Sequence, residues 1–140
     1  MNKVKKIVFY WLPAIFWVAL IFWLSSFHKL QASPVNWQDF IIRKLAHFSE
    51  YFILFQLFYR GFKNTTKVPF KKIILYSLIL TFLNSLTDEY HQTFVNGRTG
   101  RLFDIGVDTS GGIFGAFFLA KLLPKSSEKA KKFFKKANIL

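Results

Sequence analysis

The chain has no cysteine in its 140 residues, which excludes disulfides, thiolate metal sites and cysteine nucleophiles. Acids are scarce too: seven Asp and Glu stand against twenty Lys and Arg, for a formal net charge of +13. Charged residues make up 19% of the chain and hydrophobic residues 52%, with 19 phenylalanines, a balance typical of membrane proteins rather than of soluble domains. The length suits a single domain.

The apolar residues are gathered into long runs. Residues 7–27 are interrupted only by Pro13, Ser25 and Ser26, enough to cross a ~30 Å hydrocarbon core as a helix bent at Pro13. The run is too long for a signal-peptide core and no small-x-small cleavage site follows it. A second segment opens at Ser33-Pro34, read as a cap followed by proline at the first helical position. It is expected to lie along the interface through Trp37, Phe40 and Ile41, then to enter the membrane over residues 43–59. Further spans follow at 72–90 and 102–123. The expected fold is all-α: a polytopic membrane protein of about four transmembrane helices plus a short interfacial helix over residues 1–123. A basic tail, 124–140, follows and is read either as a short amphipathic helix on the inner leaflet or as a solvated segment.

Charge gives the orientation. With connecting segments assigned alternately to two sides, fifteen of the twenty basic residues fall on the side of the two termini; Lys29, Arg43, Lys44, Arg98 and Arg101 fall on the other. The positive-inside rule places both termini in the cytoplasm and makes the chain a multi-pass protein of the cell membrane. Six of the seven acids lie toward the outer side, with Glu128 alone inside. The positive charge is thereby explained by topology and by contact with anionic lipid, so nucleic acid is not an expected partner.

Four of the acids, with a histidine and two arginines, occupy one stretch, TDEYHQTFVNGRTGRLFDIGVDTSGG, over residues 87–112. Helical spacing puts Lys44, His47 and Glu50 or Tyr51 on one face of the second span, and Ser77, Thr81, Asn84, Asp88 and His91 on one face of the third. Asp104 and Asp108 lie one turn apart on the fourth, above Gly111, Gly112 and Gly115. A carboxylate facing lipid costs roughly 2.5–3.5 kcal/mol even on the lenient insertion scale, so these faces should turn toward one another. The glycines of VNGRTG should fold that connector back and bring Arg98 and Arg101 over the acids.

Such a pocket allows several chemistries. Carboxylates with His47 and His91 can ligate a divalent metal, paired acids with a histidine can move protons, and two arginines can hold a phosphate or carboxylate. The pair His47-x-x-Glu50 lacks the second histidine of a zinc-protease helix, and Ser110-Gly111-Gly112 is not a nucleophile elbow. Asp104 with Arg101 and Asp88 with Arg98 can equally be structural ion pairs, and Gly111-x-x-x-Gly115 can serve close helix approach, including a homo-oligomer.

Ser25-Ser26, KLAHFSEYFIL over residues 44–54, DEYHQTFVNGRTG over 88–100 and DIGVDTSGGIFG over 104–115 resemble the VanZ-like family of small bacterial membrane proteins. The resemblance marks Lys44, His47, Tyr51, Asp88, Glu89, His91, Gln92, Arg98, Asp104 and the position of Asp108. It departs at Asn96, where family sequences often carry proline, and at Asp108, where they often carry asparagine. It implies a cell-envelope function connected with reduced susceptibility to teicoplanin, a lipid-bearing glycopeptide. The partners expected on that ground are membrane lipids and a lipid-linked cell-wall precursor or lipoglycopeptide.

The first expectation is a ligand-binding pocket made by Lys44, His47, Glu50, Tyr51, Gln92, Arg98, Arg101, Asp104 and Asp108. The second is a hydrolase or transferase acting on an envelope lipid. There His91 or Glu89 is general base, Arg98 holds the anionic group, and a metal sits on Asp88, His91 and Asp104. The third is a structural partner subunit whose charges form an internal network. The identity of any cofactor is left open.

Overall fold

The structure, a computed structural model, describes residues 2–27, 34–98 and 100–140. Its five α-helices are α1 (Lys3–Ser25), α2 (Asn36–Thr65), α3 (Phe70–Gln92), α4 (Leu102–Phe117) and α5 (Glu128–Lys136). Among the described residues there is no strand. Three helical stretches among the described residues are long and apolar enough to cross a membrane: Lys3–Ser25, Phe70–Gln92 and Leu102–Lys125. The last continues α4 through a π-helical turn, Phe118–Leu122, and a 3-10 turn, Leu123–Lys125. Pro124 has no N–H to give a preceding carbonyl, and the helix ends around it. α1 runs through Pro13 without a break.

The second segment differs from its expectation. The interfacial helix and the span after it are one 30-residue helix, α2. No glycine or proline occurs between Asn36 and Arg60, so nothing in the sequence breaks the helix where polar residues give way to apolar ones. Val35 is the N-cap and Pro34 precedes the helix instead of starting it; Ser33, the expected cap, and Lys29 lie outside the described residues. Asp39, Arg43, Lys44 and Glu50 crowd its first half, which is why α2 is not among the stretches apolar enough to span alone.

Contacts give an alternating bundle. The Trp11 indole on α1 donates to Thr65 at the end of α2, and the Trp17 indole to the Glu50 carbonyl nearer its start, so these helices are antiparallel. Asp108 and Gly112 of α4 meet Ser85 and Thr81 of α3, also antiparallel. α4 lies parallel to α2, its Asp104, Asp108, Gly111 and Gly115 meeting Lys44, His47, Phe48 and Phe55 in order. The Arg60 guanidinium lies over the Phe9 and Tyr10 rings while its Nε donates to the Ala137 carbonyl, so both termini lie at one end of the bundle.

The tail helix is largely exposed, but the tail is not free of the bundle. Ser127 caps α5, and Lys131, 2.8 Å from Glu128, holds that exposed carboxyl below its ordinary range. Asn138, at φ 58, closes the helix in a left-handed turn that asparagine tolerates. Ile139 then joins Phe55, Tyr59, Leu119 and Leu123 in one buried cluster, and its carbonyl accepts from Lys63. Around the helices, Phe16, Trp23, Leu45, Phe103 and Ile113 are exposed, an apolar exterior suited to lipid.

Gly111 permits the closest helix approach. A Cβ there would strike the Phe48 carbonyl oxygen on α2, which is backbone and cannot swing aside. The close helix approach expected of Gly111 and Gly115 is thus made with α2 of the same chain. Gly111→Ala is expected to destabilise the bundle by about 1–3 kcal/mol. Gly106, with nothing within 4 Å of an added Cβ, should accept alanine with a gain of about 0.5–1 kcal/mol. Thermal unfolding of both variants in detergent checks the pair.

Candidate functional site

The polar faces of α2, α3 and α4 meet at the end of the bundle opposite the termini. Two rungs join α2 to α4. Lys44 Nζ lies 2.5 Å from Asp104, with the ammonium also over the Phe40 and Phe103 rings at 5.4 and 5.9 Å, and His47 Nδ1 lies 3.3 Å from Asp108. A three-residue step on α2 thus matches a four-residue step on α4, as two side-by-side parallel helices allow. Asp108 is fully buried, and its other oxygen accepts from Ser85 on α3 at 3.0 Å.

Asp88 of α3, 3% exposed, is bound from two sides. Ser25, in the last turn of α1, donates to one of its oxygens at 2.5 Å and Gln92 to the other at 2.9 Å. Ser26 lies 3.0 Å from His91 Nε2, and that ring stacks on Phe22 at 4.0 Å. The two serines that close the first span therefore tie α1 to the acid and the histidine of α3. Serine in a helix of Phe, Trp and Ile was the available signal for this role; spacing alone did not pair the hydroxyls with Asp88 and His91.

Arg98 and Arg101 are placed differently from the expected charge pairing. Gly97, at φ 77, turns the connector back, a conformation open to glycine. Arg98 Nε then donates to the Phe27 carbonyl at 3.1 Å and Nη1 to Gln92 at 3.3 Å, so Arg98 reaches Asp88 through Gln92. The backbone N–H of Arg101 donates to Glu89 at 2.9 Å, and the partner of Asp104 is Lys44. Arg43, absent from the expected site, is 2.7 Å from Asp39 and lines both cavities at this end.

Those cavities adjoin. One of about 220 Å³ has Ile21, Leu24, Ile42 and Ala46 as its apolar wall, and Arg43, His47, Glu50, Asp88 and Arg98 as polar groups. The other, about 150 Å³, is more polar and is bounded by Lys44, Gln92, Arg101 and Asp104, with Arg43, His47 and Arg98 shared. The structure thus brings together nearly all the expected ligand-binding residues. Tyr51 lies deeper, fully buried, with no hydrogen-bond partner for its hydroxyl.

The residues expected to be catalytic separate. His91 turns to α1, and among the described residues the group able to offer ligand atoms to one ion is His47, Asp88 and Asp108, all within 4.8 Å of one another. Glu89 is buried with one oxygen bound by the Arg101 N–H and the other without a hydrogen bond.

A helical membrane protein with a charged pocket opening at one end of its bundle is the class these observations define. The chain matches the family model described as VanZ/LLP1 over residues 5–123, and it belongs to that family. No curated protein and no solved structure gives a significant match.

Removing the Ser25 hydroxyl leaves a buried Asp88 oxygen without its closest donor, a loss of about 1–3 kcal/mol. Ser25→Ala is expected to lower the unfolding temperature in detergent, while Ser110→Ala, whose hydroxyl only bonds its own helix at Val107, should not.

Proposed function

We propose that this VanZ-family protein binds the anionic headgroup of an envelope lipid or lipid-linked cell-wall precursor in a pocket facing out of the cell. In this reading α2 crosses as a fourth span with its polar half turned inward, and both termini are cytoplasmic. Fifteen basic residues at the terminal end support the orientation. The observation that carries the binding reading is the cavity of about 220 Å³, where Ile21, Leu24, Ile42 and Ala46 of α1 and α2 line the same space as Arg43, His47 and Arg98, with the carboxyls of Glu50 and Asp88 beside them. An amphiphile with acyl chains in the bilayer and an anionic head at Arg98 suits that division. Sequestering or screening such a lipid would change how a lipoglycopeptide such as teicoplanin reaches its target at the membrane.

A hydrolase or transferase reading draws on one separate observation, the imidazole of His47 lining the cavity with the carboxyls of Asp88 and Glu50 and lying 3.3 Å from the buried Asp108 behind it. It makes His47 the base to test in place of His91. Lipid profiles of cells expressing wild type or His47→Ala at equal abundance would then differ in a covalent species, whereas a binder leaves them alike.

For the binding reading, Arg98→Ala removes a charge-assisted contact worth about 1.5–3 kcal/mol, so lipid retention should fall about tenfold or more. Native mass spectrometry of purified protein, and teicoplanin susceptibility of cells at matched membrane abundance, check this. A well-folded Arg98→Ala protein that retains lipid and susceptibility phenotype as wild type does would contradict it.

A further inference from the structure

We propose that His47, Asp88 and Asp108 form a binding site for one divalent transition metal ion, zinc or manganese, where α2, α3 and α4 meet beneath the pocket. The ligand atoms of the three lie within 4.8 Å of one another, and each residue comes from a different helix. Two atoms bound to a common ion at tetrahedral angles by bonds of about 2.1 Å lie about 3.4 Å apart, so the widest pair must close by about an ångström or slightly more on binding. The separation of His47 Nδ1 and Asp108 Oδ1 is 3.3 Å, about the edge of a tetrahedron with such bonds.

A second observation points to a cation. Asp108 is fully buried, and its Oδ1, facing His47, has no hydrogen bond although its Oδ2 accepts from Ser85. His47 Nδ1 likewise makes none: the two atoms approach without hydrogen-bond geometry, an arrangement natural to neighbouring ligands of one ion. Tyr51, one turn along α2 from His47, is fully buried with an unpartnered hydroxyl.

Charge balance adds to this. Lys44 is taken by Asp104 and Arg43 by Asp39, while Glu50 and Glu89 add further carboxylates beside Asp88 and Asp108. Arg98 reaches this group through Gln92. Two carboxylates in a bundle interior are costly unless neutralised, and a divalent ion neutralises both. Ser85 on Asp108, with Ser25 and Gln92 on Asp88, orients the ligands as supporting groups do in metal sites. One imidazole and two carboxylates suit zinc or manganese and leave coordination positions open toward the cavity that His47 and Asp88 line.

The site shares His47 and Asp88 with the cavity of the lipid reading but does not depend on that reading, and its test uses no lipid ligand. Full-length protein in detergent, stripped with a chelator and desalted, is titrated with zinc by calorimetry and with manganese by electron paramagnetic resonance. One ion per chain is expected for at least one of the two metals. His47→Gln and Asp108→Asn should weaken binding about a hundredfold, Ser85→Ala about tenfold, and His91→Ala not at all. If Asp108→Asn does not fold, electron spin-echo modulation of the wild-type manganese complex still decides: imidazole nitrogen coupling, lost in His47→Gln, supports the site. No saturable binding of either metal, binding undiminished by His47→Gln, or bound manganese without nitrogen coupling overturns it.

Discussion

Asp108, a carboxylate with no exposed surface inside an apolar bundle, is the constraint on which the other features depend. Its surroundings must come from neighbouring helices because its own backbone is already used in α4. His47 approaches from α2 and Ser85 from α3, which fixes the depth at which three helices meet. Once that depth is set, Lys44 falls opposite Asp104 one turn above, and Gly111 falls against Phe48 one turn below. Electrostatics at the top of the α2–α4 interface and close backbone contact beneath it thus specify the same register.

The bundle has two chemically different ends. Acids, histidines and their donors collect around the cavities, whereas the opposite end carries the lysines and is covered by the tail. Arg60, Lys63 and Asn64 at the end of α2 donate to the carbonyls of Ala137, Ile139 and Asn138, so the polar side chains at this end fasten the tail. This asymmetry is the basis for the orientation, and the orientation determines whether a ligand reaches the pocket from outside the cell.

Much of this was legible in the sequence because hydrocarbon leaves polar residues few choices. Helical spacing gave the faces holding Lys44, His47, Asp88, Asp104 and Asp108, and the cost of facing lipid implied that they meet. Partnership was less legible. Asp104 lies near Arg101 in sequence but pairs with Lys44, sixty positions away, because parallel packing of α2 and α4 outranks local order. His91 shares a helix with Asp88, yet it turns to Ser26 and Phe22 on α1, and only the packing of α1 against α3 decides that. The continuity of α2 was missed because a change from polar to apolar composition suggested a boundary that no helix-breaking residue marks.

The most direct measurement of the central claim, that the acid-rich cavities open outside the cell, uses the absence of native cysteine. Single cysteines at exposed Asn96, beside the cavities, and at exposed Lys129, in the tail helix, are treated with a membrane-impermeant maleimide in intact and in lysed cells. The account predicts that Asn96→Cys is labelled in intact cells and Lys129→Cys only after lysis. Labelling of Lys129→Cys in intact cells with Asn96→Cys protected would contradict it and turn the pocket toward the cytoplasm.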